Sequence, residues 1–274
     1  MNKILLAVKR KPKRFGGALL VGLTSIWAVM EPFVSVYVQD INKYWYLVIL
    51  LLPSIIIALV RMFPKESIIV KLKHKNSIIQ IKFGDIFMQD GNIAIAVNEY
   101  FDSIIGKLVS PESMHGYFIN KILGGKNELF EQAVKNGLRK HKSVLVQRDE
   151  GNKEAYPIGT TIILEFDKKK YLLFALSKTN IKYEAFTTPT MILEALDGLL
   201  TKARSECNGT QLNIPLIGTK LSRSGVPPMC IIELILISIL KATNESEITK
   251  QINIVISKDY FNEIDLSEIS RRWN

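Results

Sequence analysis

Cysteine is nearly missing from this sequence. Cys207 and Cys230 are the only two, at no pairing or metal-ligand spacing. That excludes a disulfide scaffold and fits a reducing cytoplasmic compartment. Histidine is equally sparse: His74, His115 and His141 are scattered, with no metal-binding spacing among them. No internal repeat or low-complexity stretch occurs. Acidic residues are absent from positions 1–14, which hold six basic ones, Lys3, Lys9, Arg10, Lys11, Lys13 and Arg14. This cluster accounts for most of the formal +10 charge. The remainder is too evenly balanced to form the basic stripe that grips a nucleic-acid backbone, so no nucleic-acid partner is expected. The cluster abuts a long apolar segment, and anionic lipid is its simpler partner.

The apolar residues, 47% of the chain, are concentrated early. A first block runs from Phe15 to Val38 and spans roughly 36 Å as a helix, enough for a hydrocarbon core of ~30 Å. A second block, Tyr44 to Val60, carries no charge and spans roughly 25 Å, at the short limit. Residues 39–43 join them, too few to recross a bilayer, so the two helices are expected to be antiparallel neighbours. Basic residues lie before the first helix and after the second (Arg61, Lys65, Lys71, Lys73, Lys75), while the connector holds only Lys43. The positive-inside rule therefore places both ends in the cytoplasm, with Tyr37, Tyr44, Trp45 and Tyr46 at the outer interface. A cleaved signal peptide fits less well. The first block is too long, no small-x-small site ends it, and a second block follows at once. Glu31-Pro32 interrupts the first helix, either as a kink whose carboxylate snorkels outward or as a helix–helix or lumen contact in an assembly. The expected organisation is a basic N-terminus (1–14), a two-helix transmembrane hairpin (15–62) and a cytoplasmic domain (63–274).

After Pro64 the periodicity changes. Ser67–Leu72, Ile78–Phe83, Ile93–Val97, Thr161–Phe166, Tyr171–Ser177, Leu212–Ile217 and Ile252–Ser257 read as strands. Asn127–Lys140, a helix opened by Thr188-Pro189, and Pro227–Lys241 read as helices, with a last one after Asp259. Val226–Leu240 is apolar but short, begins with two prolines and contains Glu233, so it reads as a buried core helix. Strands alternating with helices predict an α/β domain with a mixed sheet covered on both faces.

Two loops carry candidate chemistry. The first is Gly84-Asp85-Ile86-Phe87, after a strand; the following strand ends in Asn98, with Glu99 and Asp102 just beyond. The second runs from Gly218 and Thr219 through Leu221, Ser222, Arg223, Ser224 and Gly225 into the core helix. A glycine-bracketed loop at a helix start offers backbone N–H groups to a diphosphate, though a plain strand-to-helix connection also fits.

Together these loops resemble the macrodomain family of ADP-ribose-binding α/β domains over roughly residues 68–265. In that family a Gly-Asp-Ile turn sets an aspartate on the adenine amino group, which Gly84-Asp85-Ile86 matches. A Val-Asn-Ala-Ala-Asn-like strand end lines the distal ribose; Val97-Asn98 matches its start, while Glu99-Tyr100-Phe101 departs from it. The resemblance implies Asp85 at adenine, Gly218–Gly225 at the diphosphate, and Asn98, Glu99 and Asp102 toward the distal ribose. Tyr260 or Phe261 is the candidate for stacking on the base. With the hairpin, the whole chain looks like the membrane effector of bacterial Thoeris antiphage systems. That resemblance implies a bacterial inner-membrane protein, multi-pass, with both termini cytoplasmic, no catalytic or metal residues and no cofactor. Its expected ligand is an ADP-ribose-derived nucleotide, a histidine–ADP-ribose conjugate made by a TIR-domain partner. Binding is expected to drive homo-oligomerisation, membrane disruption and abortive infection. A membrane-tethered ADP-ribosyl hydrolase and a passive membrane receptor are the alternatives.

Overall fold

A computed structural model of the chain describes residues 8–9, 12–37, 43–71, 77–219 and 223–273. It divides into two compact units, Met1–Lys65 and Glu66–Asn274.

The first unit is a helical hairpin. Helix α1 spans Pro12–Tyr37 and α2 spans Lys43–Arg61; the expected connector at 38–42 lies outside the described residues. The two pack where side chains are small. Gly22 lies against Ser54, and a Cβ on Gly22 would sit 3.2 Å from the Ser54 Cα. Ala18, Ser54 and Ala58 are buried in the same seam. Such residues let helix backbones approach closely. Ser54 Oγ donates to the Leu50 carbonyl (2.7 Å), so its hydroxyl is satisfied within its own helix. The outward surface is apolar and uncovered: Leu20, Val29, Phe33, Leu52 and Val60 are 59–65% exposed. Over Pro12–Phe33, α1 is long and apolar enough to cross a membrane. The second expected span is the weaker, because the apolar stretch of α2 covers only Leu47–Arg61. Glu31 is exposed on α1.

The second unit is a mixed sheet between helices. Its strands are β1 (Ser67–Lys71), β2 (Ile78–Phe83), β3 (Asn92–Asn98), β6 (Thr161–Phe166), β7 (Lys169–Thr179), β8 (Ala185–Phe186), β9 (Leu212–Pro215) and β10 (Gln251–Ile256), in the order β1-β2-β10-β9-β3-β7-β6 with β8 on β7. β2, β10, β9, β3 and β7 run parallel, while β1 and β6 close the edges antiparallel. A separate small hairpin joins β4 (Val144–Leu145) to β5 (Glu154–Ala155).

Alternation along each strand divides the core in two. On β3, Ile93, Ile95 and Val97 face one cluster and Ala94 faces the other. The first cluster packs under α3 (Met114–Tyr117), its π-helical continuation (Phe118–Ile122) and α4 (Asn127–Leu138). The second packs under α5 (Pro189–Glu206), α6 (Pro228–Glu245) and α7 (Leu266–Trp273). Both faces being covered explains the nearly continuous apolar runs of the central strands. The expected core helix is one: Ile231, Ile232, Ile235, Leu236 and Ile239 of α6 are fully buried. Thr188 caps α5 by accepting the Met191 N–H, with Pro189 in the first turn. The β6–β7 turn has Asp167 and Lys168 both at positive φ, the two-residue geometry that suits a twisted hairpin. Lys169 and Lys170 belong to β7, and Lys170 pairs with Glu165 and Glu206.

Asn213 and Asn253 are neighbours in register and fully buried. Asn253 Nδ2 donates to Asn213 Oδ1 (2.8 Å), and Asn213 Nδ2 donates to the carbonyls of Asp90 (2.7 Å) and Asn92 (3.0 Å). This ladder pins β9 and β10 to the start of β3, because a register slip would leave buried amides unpaired.

Helix α5 reaches the sheet edge through Gly198, where a Cβ would lie 2.0 Å from the Gly159 carbonyl oxygen. G198A forces backbone apart and is expected to lower stability by about 1–3 kcal/mol, read as a lower urea midpoint.

Candidate functional site

Parallel strands bring their carboxyl ends to one edge of the sheet, where open α/β sheets form their ligand crevices. The loops after β2, β10, β9, β3 and β7 all emerge there. Two cavities lie among them.

The first, about 470 Å³, is lined by Gly84–Phe87 after β2, Pro215 and Leu216 at the end of β9, Val255, Ser257, Lys258 and Tyr260 at the end of β10, and Glu112, Ser113, Met114 and Tyr117. The Gly84–Phe87 turn is locked by its own aspartate. Asp85 Oδ1 accepts the Phe87 N–H (2.9 Å), and Gln89 Nε2 donates to the Asp85 carbonyl (2.6 Å). Phe87 stacks on Tyr117 at 5.0 Å between centroids, giving the cavity a flat aromatic wall. Tyr260 is a buried lining residue, whereas Phe261 packs its ring 5.0 Å from Phe83 and is not among the lining residues.

The second cavity, about 330 Å³, is lined by Asn98 and Ser177 at the ends of β3 and β7, Gly106–Pro111, Ser113, His115, Tyr183–Ala185 and Arg223. Ser113 borders both cavities. It caps α3 by accepting the Gly116 N–H (2.9 Å) while donating to the Ser110 carbonyl (2.6 Å). Gly116 is required: a Cβ there would lie 2.1 Å from the Ser110 carbonyl oxygen.

The segment after β3 departs from the expectation. Glu99 and Asp102 line neither cavity. Asp102 is 1% exposed and accepts from Asn98 Nδ2 (3.0 Å), Arg148 Nη1 (3.1 Å) and the Asn152 N–H (2.9 Å). The Arg148 guanidinium lies 3.8 Å over the Tyr100 ring. Asn98 Oδ1 accepts the N–H groups of Tyr100 and Asp102, so both ends of its amide are committed internally. Glu99 accepts the Thr179 N–H (3.1 Å), and burial pushes its carboxyl above the ordinary range. These acids thus hold the chain in shape, and Phe101, at φ 52°, reverses it between them. The acidic pair read as facing the distal ribose is directed inward, because a carboxylate with an arginine and two N–H partners is far better satisfied there than in a cavity.

The glycine-bracketed loop is described in part. Gly218 (φ 73°) and Gly225 (φ 68°) both adopt the left-handed conformation. Ser224 Oγ donates to the Gly218 carbonyl and accepts the Val226 N–H, tying the loop to itself, and Thr219 follows Gly218. Leu221 and Ser222 lie outside the described residues. Arg223 reaches the second cavity and pairs with Glu184 at 3.0 Å.

Sequence reading assigned nothing to residues 103–126, and that stretch supplies Glu112, Ser113, Met114, Tyr117 and His115. Ser110-Pro111 and the cap residue Ser113 were the available signal for a turn into a helix start.

The three-layer mixed sheet with its cavities at the carboxyl edge defines a macrodomain. The chain belongs to the family of the Thoeris protein ThsA, Macro domain, which it matches over residues 79–257. Among solved structures it is similar to a mutant of the Oceanobacillus iheyensis macrodomain, at 12% identity and TM-score 0.50, covering 76% of this chain and 98% of that one. Two others are the Oceanobacillus iheyensis macrodomain with ADP (14% identity, TM-score 0.45, 76% and 98% covered) and the Trypanosoma brucei macrodomain in complex with ADP-ribose (11%, 0.46, 70% and 68%). No curated protein matches the chain in sequence.

Removing Arg148 leaves the buried Asp102 carboxylate without its counter-ion. R148M is expected to destabilise the domain by about 3–5 kcal/mol, measured by urea unfolding.

Proposed function

We propose that the Glu66–Asn274 unit binds an ADP-ribose-type signal nucleotide in antiphage defence, and that the apolar hairpin is the membrane-seated output of the same chain. The observation that carries this reading is the family match over residues 79–257, which takes in both candidate loops. The first cavity suits the adenine end: a flat aromatic wall of Phe87 and Tyr117 beside the Asp85 turn. The loop bracketed by Gly218 and Gly225, both in the left-handed conformation, suits the diphosphate through its backbone N–H groups. By the Thoeris resemblance the nucleotide is a histidine–ADP-ribose conjugate supplied by a TIR-domain enzyme, which acts as a partner only through this diffusible signal.

The chain acts as a binder rather than an enzyme in this reading. The acids after β3 are committed to internal bonds, and Glu184 is paired with Arg223, so no carboxylate among the described cavity residues near Asn98 is free to serve as a general base. Binding shifts an equilibrium toward a self-associated state, as a ligand does only where it prefers one state. The hairpin, with both termini cytoplasmic in the bacterial inner membrane, then breaches the bilayer and arrests the infected cell. Support for the membrane seat is the exposed apolar surface of α1 and α2, which is far larger than a water-facing hairpin tolerates.

Two measurements test this. Calorimetric titration with ADP-ribose is expected to show saturable binding, weakened about tenfold or more (about 1.4 kcal/mol) by D85N, whose amide oxygen still accepts the Phe87 N–H, so that the unfolding midpoint of the variant is unchanged. No binding by the unaltered chain overturns the nucleotide reading. In liposomes carrying the full chain, the histidine–ADP-ribose conjugate is expected to release trapped dye. Absence of leakage at saturation overturns the output reading, and liberation of free ADP-ribose from the conjugate would make the chain a hydrolase instead.

A further inference from the structure

The β4–β5 ribbon has no part in the nucleotide reading, and its surface is apolar where it meets water. Val144 is 68% exposed and its neighbour Leu145 is 79% exposed. Side chains alternate along a strand, so the two project from opposite faces of the ribbon. A single exposed apolar side chain needs no explanation. Here two adjacent ones follow directly on a run of cations. Residues 132–147 contain Lys135, Arg139, Lys140 and Lys142 and no acid. All four are exposed, as is Lys153 on the returning segment. Among the described residues none of the five has an ion-pair partner. A cavity of about 500 Å³ between α4 and the ribbon continues this surface, with Lys135, Arg139 and Lys153 in its wall. The two acids in the same wall are each engaged by a hydroxyl: Glu131 accepts from Ser103 (2.6 Å) and Glu154 from Tyr156 (2.6 Å). Of the two acids on the ribbon's loop, Glu150 is paired with Lys107 and Asp149 is exposed.

We infer that the β4–β5 ribbon docks the domain on an anionic lipid surface. Val144 and Leu145 enter the headgroup boundary, and Arg139, Lys140, Lys142 and Lys153 meet lipid phosphates. This rests on the membrane seat proposed above. Charge complementarity selects the occupant. Exposed cations are drawn to an anionic leaflet, and apolar side chains beside them leave water at the same boundary. A nucleic-acid backbone would engage the cations and leave both apolar side chains in water. A twofold contact with a second copy would set these cations against their own counterparts. None of these residues lines either ligand cavity, so the lipid contact and the nucleotide site use separate surfaces.

The test uses the full chain in liposomes of mixed phosphatidylglycerol and phosphatidylcholine, against liposomes of phosphatidylcholine alone. An environment-sensitive dye is attached at L145C, or at T201C as the control, with C230S removing the exposed native thiol. Thr201 is exposed on α5, which covers the opposite face of the sheet from α4. Lipids carrying a quencher at headgroup depth are expected to dim the dye at position 145 about twofold or more in the anionic liposomes, and only weakly at position 201 or in the neutral ones. R139E/K140E/K142E is expected to abolish that difference with the thermal transition unchanged. Equal quenching at 145 and 201 overturns the assignment. So does equal quenching at 145 in the two liposomes, or quenching that survives the charge reversal. A spectral shift at 145 without quenching by lipid indicates a second copy on the ribbon and overturns it too. If the reversed variant does not fold, raising the salt to about 1 M, where the Debye length is about 3 Å, is expected to remove the difference between the liposomes, and its persistence overturns the assignment. Failure of the chain to float with either liposome overturns the membrane seat and this assignment with it, an outcome distinct from each of the others.

Discussion

Five adjacent strands pointing the same way are the constraint from which the rest of the domain follows. Parallel pairing requires each strand to return by a crossover, and the crossovers cover both faces of the sheet. The alternating side chains of β3 and β7 then belong to two cores at once. The same direction of travel delivers five strand ends to one edge, so that segments distant in sequence, Gly84–Phe87, Asn98 with Gly106–Ser113, Ser177 with Tyr183–Ala185, Pro215–Leu216, Arg223 and Ser257–Tyr260, share one surface. The Asn213–Asn253 ladder sits at the other ends of β9 and β10 and ties their register to β3.

At the ligand edge, rigidity comes from small polar side chains folded back on their own loops. Asp85 locks its turn, Ser113 caps its helix and Ser224 bridges its glycine loop. The larger charges are used for a heavier task. Asp102, Arg148 and Asn152 form a polar node around the buried Asp102 carboxylate that fastens the end of β3 to the segment carrying β4 and β5. Breaking the Asp102–Arg148 pair would strand a buried charge. Arg148 also lies 5.3 Å from the Tyr183 ring, whose residue lines the second cavity, so the node underlies the cavity wall.

Much of this was legible in advance. The spacing of Ile192, Leu196, Leu199 and Leu200, with Thr188-Pro189 ahead of them, marks α5 because both the periodicity and the cap are local properties. The α/β class followed from alternating element types, and the Gly-Asp-Ile turn from three consecutive residues. What escaped was the stretch from 103 to 126. Its helix is short, continues as a π-helix and lacks a full amphipathic repeat, so no periodic signal rises above its neighbours. The roles of Glu99 and Asp102 escaped for another reason. Their partners, Thr179 and Arg148, are far away in the chain. A carboxylate next to a candidate site looks available until the residue that claims it is known.

By itself the sequence determined the apolar hairpin with its basic flank, the sheet-and-helix alternation and the two glycine-marked loops, because hydrophobic periodicity, caps and turn residues act over a few positions. Only the tertiary structure decided which polar groups face the cavities. It turned Asp102 inward and brought Tyr117 onto Phe87. It also buried the His115 ring against Phe130. Those outcomes depend on distant side chains competing for the same hydrogen bonds, and that competition is settled only when the strands are in register.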